Sequence, residues 1–299
     1  MPASLALWRD RKGQLSPLRI ATLAILLWPI VLAGFDASRG ALTGRPLNEL
    51  IHRSGWWALV FLFASLAVTP LRQAGGFARL FEVRRMIGVA SFAYAAAHLA
   101  LYVVDQRFDL VKVATEIVSR IYLTIGFVAL FGLTALAATS NDTMLKRLGG
   151  LTWRRLHQVT YAITLLALIH FFQQTKADIT QPTLFAGLAA WLAGYRLLAR
   201  AGQRALSWPG LVALAVIAAA VTFAGDLLAL WITAGRPPFG DFAPLFFGAI
   251  LDTDLGIRPG WTVLAAGLAV AVLGAVQSWR RRAAPPRERV AARPAATRV

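Results

Sequence analysis

Residues 86–104 read MIGVASFAYAAAHLALYVV, nineteen positions with one histidine and no charged side chain. Arg84 and Arg85 stand immediately before the run and Asp105 immediately after it. At about 1.5 Å of rise per residue, such a run covers about 28 Å as a helix. That length is close to the roughly 30 Å hydrocarbon core of a bilayer. The stretch therefore reads as a membrane-crossing helix with a basic front edge. Seven more stretches read the same way, at about 17–35, 55–70, 121–138, 157–172, 182–198, 209–233 and 260–279. Pro17, Pro182 and Pro209 fall at helix starts, where the missing N–H costs nothing.

Composition points the same way. Of the 299 residues, 58% are hydrophobic and 15% charged, whereas a soluble domain carries about 25% charged residues. The mean hydropathy is +0.60. Disordered, collagen-like and soluble α/β readings are excluded. The chain has no cysteine, which excludes disulfides, thiolate metal sites, iron–sulfur clusters and thioether-attached haem. It has neither GxGxxG nor a P-loop, so it brings no nicotinamide-binding module of its own.

The formal charge is +17, from 31 basic and 14 acidic residues. With the N-terminus inside, the segments 1–19, 71–85, 139–156, 196–208 and 280–299 hold 22 of the basic residues, and the outer segments hold 9. This asymmetry fits eight spans with both termini in the cytoplasm. The basic surplus is then a topology signal, and no nucleic-acid partner is implied. A cleaved signal peptide is the alternative for the first span. A retained helix is favoured, because no good small-residue cleavage site is present and Asp36 follows closely. The fold expected is an all-α polytopic membrane bundle of about eight helices in contact with membrane lipid. It divides into a cytoplasmic N-terminus over 1–16, a core over 17–200, two more helices over 201–279 and a basic, disordered tail over 280–299.

The chemistry rests with four histidines, His52, His98, His157 and His170. Ionisable groups at membrane depth are costly and functional by default. His98 lies about 18 Å above the inner end of its span, and His170 about 20 Å above His157. The two stand at similar depth on different helices. Two neutral imidazoles with no other soft ligand nearby suit the axial positions of a b-type haem. A single intramembrane histidine is more often an interhelical hydrogen-bonding residue, and it is the matched depth that favours ligation here. His157 stands near the inner interface, about 140° around its helix from His170. Two stacked bis-histidine haems are therefore unsupported. His157 is left between a second haem, a flavin or quinone contact, and a plain interfacial role. His52 reads as an interfacial histidine. Arg84, Arg85, Arg154 and Arg155 are first of all positive-inside anchors, and also candidates to clamp haem propionates or a flavin phosphate. Asp226 lies inside a span, with burial or a proton role open.

The segments at 52–72 (HRSGWWALVFLFASLAVTPLR), 84–102 (RRMIGVASFAYAAAHLALY), 119–126 (SRIYLTIG) and 148–171 (LGGLTWRRLHQVTYAITLLALIHF) resemble the MsrQ (YedZ) family. These are haem-binding membrane subunits of the ferric reductase-like transmembrane superfamily. The likeness runs over roughly residues 17–200. It implies a six-helix core with b haem, one or two per chain, and FMN as an associated cofactor. It implies electrons taken from the respiratory quinone pool in the bacterial inner membrane. They would pass to MsrP, a periplasmic molybdopterin enzyme that reduces methionine sulfoxide in oxidised envelope proteins. By position, His98, His157 and His170 match the family's haem-associated histidines, and His52 matches a family histidine at the start of span two. A typical member ends soon after span six, whereas this chain continues for about 100 residues.

Three function classes follow. The first is an electron-transfer subunit, not catalytic alone or acting as part of an oxidoreductase. The second is a ferric reductase or oxidase-type haem protein, although such proteins usually carry a cytosolic flavin and nicotinamide domain. The third is a transporter or assembly scaffold.

Overall fold

The structure is a computed structural model that describes residues 7–9, 13–42, 44–175, 178–202, 206–252, 254 and 256–283. Most of the expected N-terminal segment and residues 284–299 of the expected tail lie outside the described residues. Eleven α-helices follow one another: α1 (Pro17–Ser38), α2 (Pro46–Gly75), α3 (Arg84–Asp105), α4 (Leu110–Ser119), α5 (Ile121–Ala138), α6 (Asp142–Gln158), α7 (Thr160–Gln174), α8 (Thr180–Ala201), α9 (Trp208–Thr233), α10 (Phe239–Leu251) and α11 (Pro259–Ala283). No β-strand appears among the described residues, as expected for a helix bundle.

Local chemistry sets several of the helix starts. Asp109 accepts from the Lys112 N–H at 2.9 Å and opens α4. Asn141 does the same for Met144 at 2.8 Å and opens α6. Such caps satisfy N–H groups that have no partner within the helix. Gly149, at φ +72°, breaks the helical path inside α6, a conformation that glycine takes without steric cost.

Among the described residues six helices are long and apolar enough to cross a membrane: α1, α2, α3, α5, α9 and α11. Two expected spans take a different form. The fifth is shared between the end of α6 and the 15-residue α7, with Val159 between them at helical angles (φ −58°, ψ −19°). The sixth, α8, has the length but carries Gln181, Arg196 and Arg200. Helices also occupy stretches that the sequence treats as connections. The amphipathic α4 lies between the third and fourth spans, and α10 lies in the segment 234–259. Arg280, Arg281 and Arg282, assigned to the tail from sequence, form the last turn of α11.

Packing divides the chain into two units. One comprises Met1–Val68 and Arg79–Gln174, the other Thr69–Ala78 and Thr175–Val299. This differs from a core over 17–200 with an addition over 201–279, because α8 packs with α9 and α11. In the first unit α5 packs on α7, α3 and α4. Ser91 donates to the Ala58 carbonyl at 2.8 Å, joining α3 to α2, and Tyr94 donates to the Leu26 carbonyl at 2.7 Å, joining α3 to α1. In the second unit small residues bring the helices close. A Cβ at Gly187 would lie 2.2 Å from Thr222 Oγ1, and one at Gly267 2.6 Å from Ala215 Cβ. Asp226 is fully buried there, and its Oδ2 accepts from Arg258 Nε at 2.9 Å and Nη2 at 2.6 Å.

Candidate functional site

The first unit encloses a cavity of about 420 Å³ between α2, α3, α4, α5 and α7. Its depth is apolar, with Leu59, Leu62, Ala129 and Leu133, and its rim is polar. His98 on α3 and His170 on α7 both line it. Their ring centres are 6.3 Å apart, with planes at 86°.

Each ring is seated by the same device on a neighbouring helix. His98 Nδ1 lies 2.7 Å from the Ile51 carbonyl of α2, and His170 Nδ1 lies 2.7 Å from the Tyr122 carbonyl of α5. Four residues beyond each carbonyl stands a glycine against which the ring lies. A Cβ at Gly55 would sit 2.9 Å from His98 Nδ1, and one at Gly126 would sit 2.7 Å from His170 Nδ1. A carbonyl only accepts, so Nδ1 carries the proton in both rings and Nε2 is the nitrogen with a lone pair.

These dimensions fit a shared metal. A metal–imidazole bond is about 2.0–2.1 Å, and a ring nitrogen is about 1.2 Å from its ring centre, so two imidazoles across one metal have centres up to about 6.4–6.6 Å apart, close to the 6.3 Å found here. No group of three or more His, Asp or Glu residues gathers as a metal site among the described residues. With two nitrogen donors and an apolar slot, the equatorial ligands of a six-coordinate metal would come from a macrocycle rather than from the chain.

The motif at 120–126 (RIYLTIG) supplies much of this geometry. Arg120 takes extended angles (φ −111°, ψ 106°) and separates α4 from α5. Tyr122 offers its carbonyl to His170. Thr124 Oγ1 donates to the Ile117 carbonyl at 2.5 Å and so closes the turn. Gly126 leaves room for the ring. Tyr102 of α3 donates to Glu116 of α4, and Glu116 pairs with Arg120 at 3.5 Å. Tyr102, Glu116, Arg120 and Tyr122 all line the cavity. The sequence reading missed this group and the two carbonyls. The signal available for the seats was a glycine inside each apolar run, at Gly55 and Gly126.

The other sequence candidates lie elsewhere. His52 lies on α2 and lines the rim, its Nδ1 2.7 Å from the Asn48 carbonyl one turn back. His157 is not part of the cavity. It stacks on Trp153 with centres 3.8 Å apart, and its Nε2 lies 3.2 Å from Ser140 Oγ. The charges of Arg84 and Arg85 reach it, and Arg85 pairs with Asp142 at 2.6 Å. Arg154 and Arg155 are exposed on α6. None of these four arginines lines the cavity. Asp226 belongs to the second unit.

Comparison with known proteins gives this geometry a family. Residues 54–168 match the ferric reductase like transmembrane component. A Rhodospirillum rubrum protein, the protein-methionine-sulfoxide reductase heme-binding subunit MsrQ, is 38% identical over 197 residues, which are 66% of this chain and 92% of that protein. The protein of the same name from Xanthomonas campestris pv. campestris is 42% identical over 193 residues, 62% of this chain and 88% of that protein. Its counterpart from Xanthomonas oryzae pv. oryzae is 43% identical over 178 residues, 59% of this chain and 79% of that protein. No solved structure matches the chain. With nearly the whole length of such a relative aligned, and with the paired histidines inside the matched region or at its edge, the chain belongs to the MsrQ family.

Proposed function

We propose that the chain is a membrane electron-transfer subunit that holds one b-type haem between His98 and His170. The observation that carries the reading is the pair of imidazoles 6.3 Å apart across an apolar cavity. The relatives are named heme-binding subunits of a protein-methionine-sulfoxide reductase, which supports both the cofactor and the system. When bound, the haem supplies one-electron chemistry at iron, and the protein sets its orientation and potential.

Each residue has a stated task. His98 and His170 present Nε2, held in that tautomer by the Ile51 and Tyr122 carbonyls. Leu59, Leu62 and Leu133 exclude water from the depth of the cavity. Both chain ends lie in the cytoplasm of a bacterial inner membrane, so the histidine pair sits toward the periplasmic face. There the chain hands electrons to an MsrP-like molybdopterin enzyme that reduces methionine sulfoxide. The His157 end takes the electron source, quinone or FMN. Arg84 and Arg85, whose charges reach it, suit an anionic group, and the exposed Arg154 and Arg155 add to that basic surface.

A reduced-minus-oxidised absorption spectrum of the purified full-length protein, with haem quantified per chain, tests the proposal. His98→Ala and His170→Ala should each abolish the low-spin b-type signal, and His157→Ala should keep it. Folded wild-type protein without haem would overturn the reading.

A further inference from the structure

We infer that Arg120 anchors a propionate of the haem and sets its seating in the cavity, an inference that rests on the haem reading above. Haem carries two carboxylates, which need donors or cations wherever they leave the apolar slot. The deep wall offers Leu62, Ala129 and Leu133. The rim offers polar side chains, and Arg120 is the one lysine or arginine among the described residues lining the cavity. Without Arg120, the ionic groups among the described residues at that rim would be the carboxylates Asp105 and Glu116, which repel a propionate.

Arg120 is built for the task. Its backbone is fixed from both sides. Its N–H donates to the Glu116 carbonyl at 3.0 Å, and its carbonyl accepts from Leu123 at 2.9 Å and Thr124 at 3.1 Å. Its side chain is aimed by two contacts. Nη1 donates to the Tyr122 hydroxyl at 3.1 Å, and Nη2 pairs with Glu116 Oε1 at 3.5 Å. Glu116 is itself held by the Tyr102 hydroxyl. A guanidinium has five N–H donors in a planar fork matched to a carboxylate, so these contacts aim the group without exhausting it. The side chain is 52% exposed, which leaves the fork accessible from the rim. Tyr122 joins the anchor to the ligand, because its hydroxyl accepts from Arg120 while its carbonyl accepts from His170. Cation and axial-ligand support thus stand two residues apart at one helix start.

The test uses purified full-length protein with its haem. The wild type, Arg120→Gln, Arg120→Lys and the exposed control Arg79→Gln are compared by rate of haem transfer to excess apomyoglobin and by midpoint potential. Arg120→Gln should keep the low-spin spectrum, transfer haem about tenfold faster or more, and shift to lower potential because a cation near the iron is lost. Arg120→Lys should keep a potential near wild type with an intermediate transfer rate, and Arg79→Gln should match wild type. If Arg120→Gln does not assemble, the lysine variant decides alone, and a wild-type transfer rate in it overturns the inference. Wild-type rate and potential in Arg120→Gln also overturn it while leaving the haem reading intact. Wild-type protein without haem defeats the parent reading instead.

Discussion

Replacing Gly126 by alanine gives two readings of the site opposite signs. Inside a helix, Gly→Ala should stabilise by about 0.8–1.0 kcal/mol from backbone entropy alone. Here the added methyl would stand 2.7 Å from His170 Nδ1, 2.8 Å from Cε1 and 3.1 Å from Cγ. The ring cannot hold its place. Its displacement costs about 1–3 kcal/mol of overpacking and loses the hydrogen bond to the Tyr122 carbonyl, net about 0.5–1.5 kcal/mol. After the entropy gain, Gly126→Ala should destabilise by about 0.5–3.7 kcal/mol. Gly34 on α1 has nothing within 4 Å of a built Cβ, so Gly34→Ala serves as the control and should be neutral or stabilising. Denaturant unfolding of the purified protein gives the energies, and the absorption spectrum gives the coordination. Gly126→Ala should lose low-spin haem. Gly55→Ala should follow more mildly, because its closest approach to His98 is 2.9 Å. If Gly126→Ala is as stable as Gly34→Ala and keeps its low-spin signal, the glycine seat is refuted.

Further outcomes follow from the same structure. Arg258→Ala leaves the fully buried Asp226 carboxylate without its cation and should cost about 3–5 kcal/mol, whereas replacing both partners by apolar residues of similar volume should cost far less. Denaturant titration of the two variants decides it. Tyr102→Phe removes the hydroxyl that holds Glu116 and should cost about 0.5–1.5 kcal/mol with the haem spectrum retained, read by the same titration and an absorption scan. Asp178 has its carboxyl held below the usual carboxylate range by hydrogen bonds from Thr180. Its stabilising effect is therefore present above the ordinary carboxylate pKa and fades as pH falls through the lowered one. Melting curves of wild type and Asp178→Asn across the acidic range should converge at the lowest pH, and parallel curves would refute the assignment.

The sequence carried the bundle because uncharged runs of spanning length admit few other structures. It also carried the matching depth of two histidines. Counting helical rise puts His98 and His170 level, and the rings lie 6.3 Å apart. It could not carry what depends on rotation and contact between helices. The carbonyls of Ile51 and Tyr122 look like any others until the helices pack. Four arginines in two doublets stand out in the sequence but do not line the cavity, while Arg120, which does, looks in the sequence like one outer cation among several. Its role depends on a helix break and on Glu116 four residues earlier, held in turn by α3. The expected sixth span, α8, shows the same limit. Its length is legible in the sequence, but its partners are chosen by Gly187 and Gly194, which let α9 approach.

The shared seat of the two histidines explains why so little protein is needed for this chemistry. An imidazole free in an apolar cavity could take either tautomer and several rotamers, and would spend part of its binding energy on choosing. Here each Nδ1 proton is committed to a backbone carbonyl, and each ring is pressed against a glycine that a methyl group would displace. The lone pairs on Nε2 are left available, as the proposed haem site requires. The acceptors are backbone carbonyls inside helices, so they cannot swing away. Low reorganisation of this kind is what the proposed one-electron relay requires. It is achieved by one glycine and one carbonyl, four residues apart, on each of two helices.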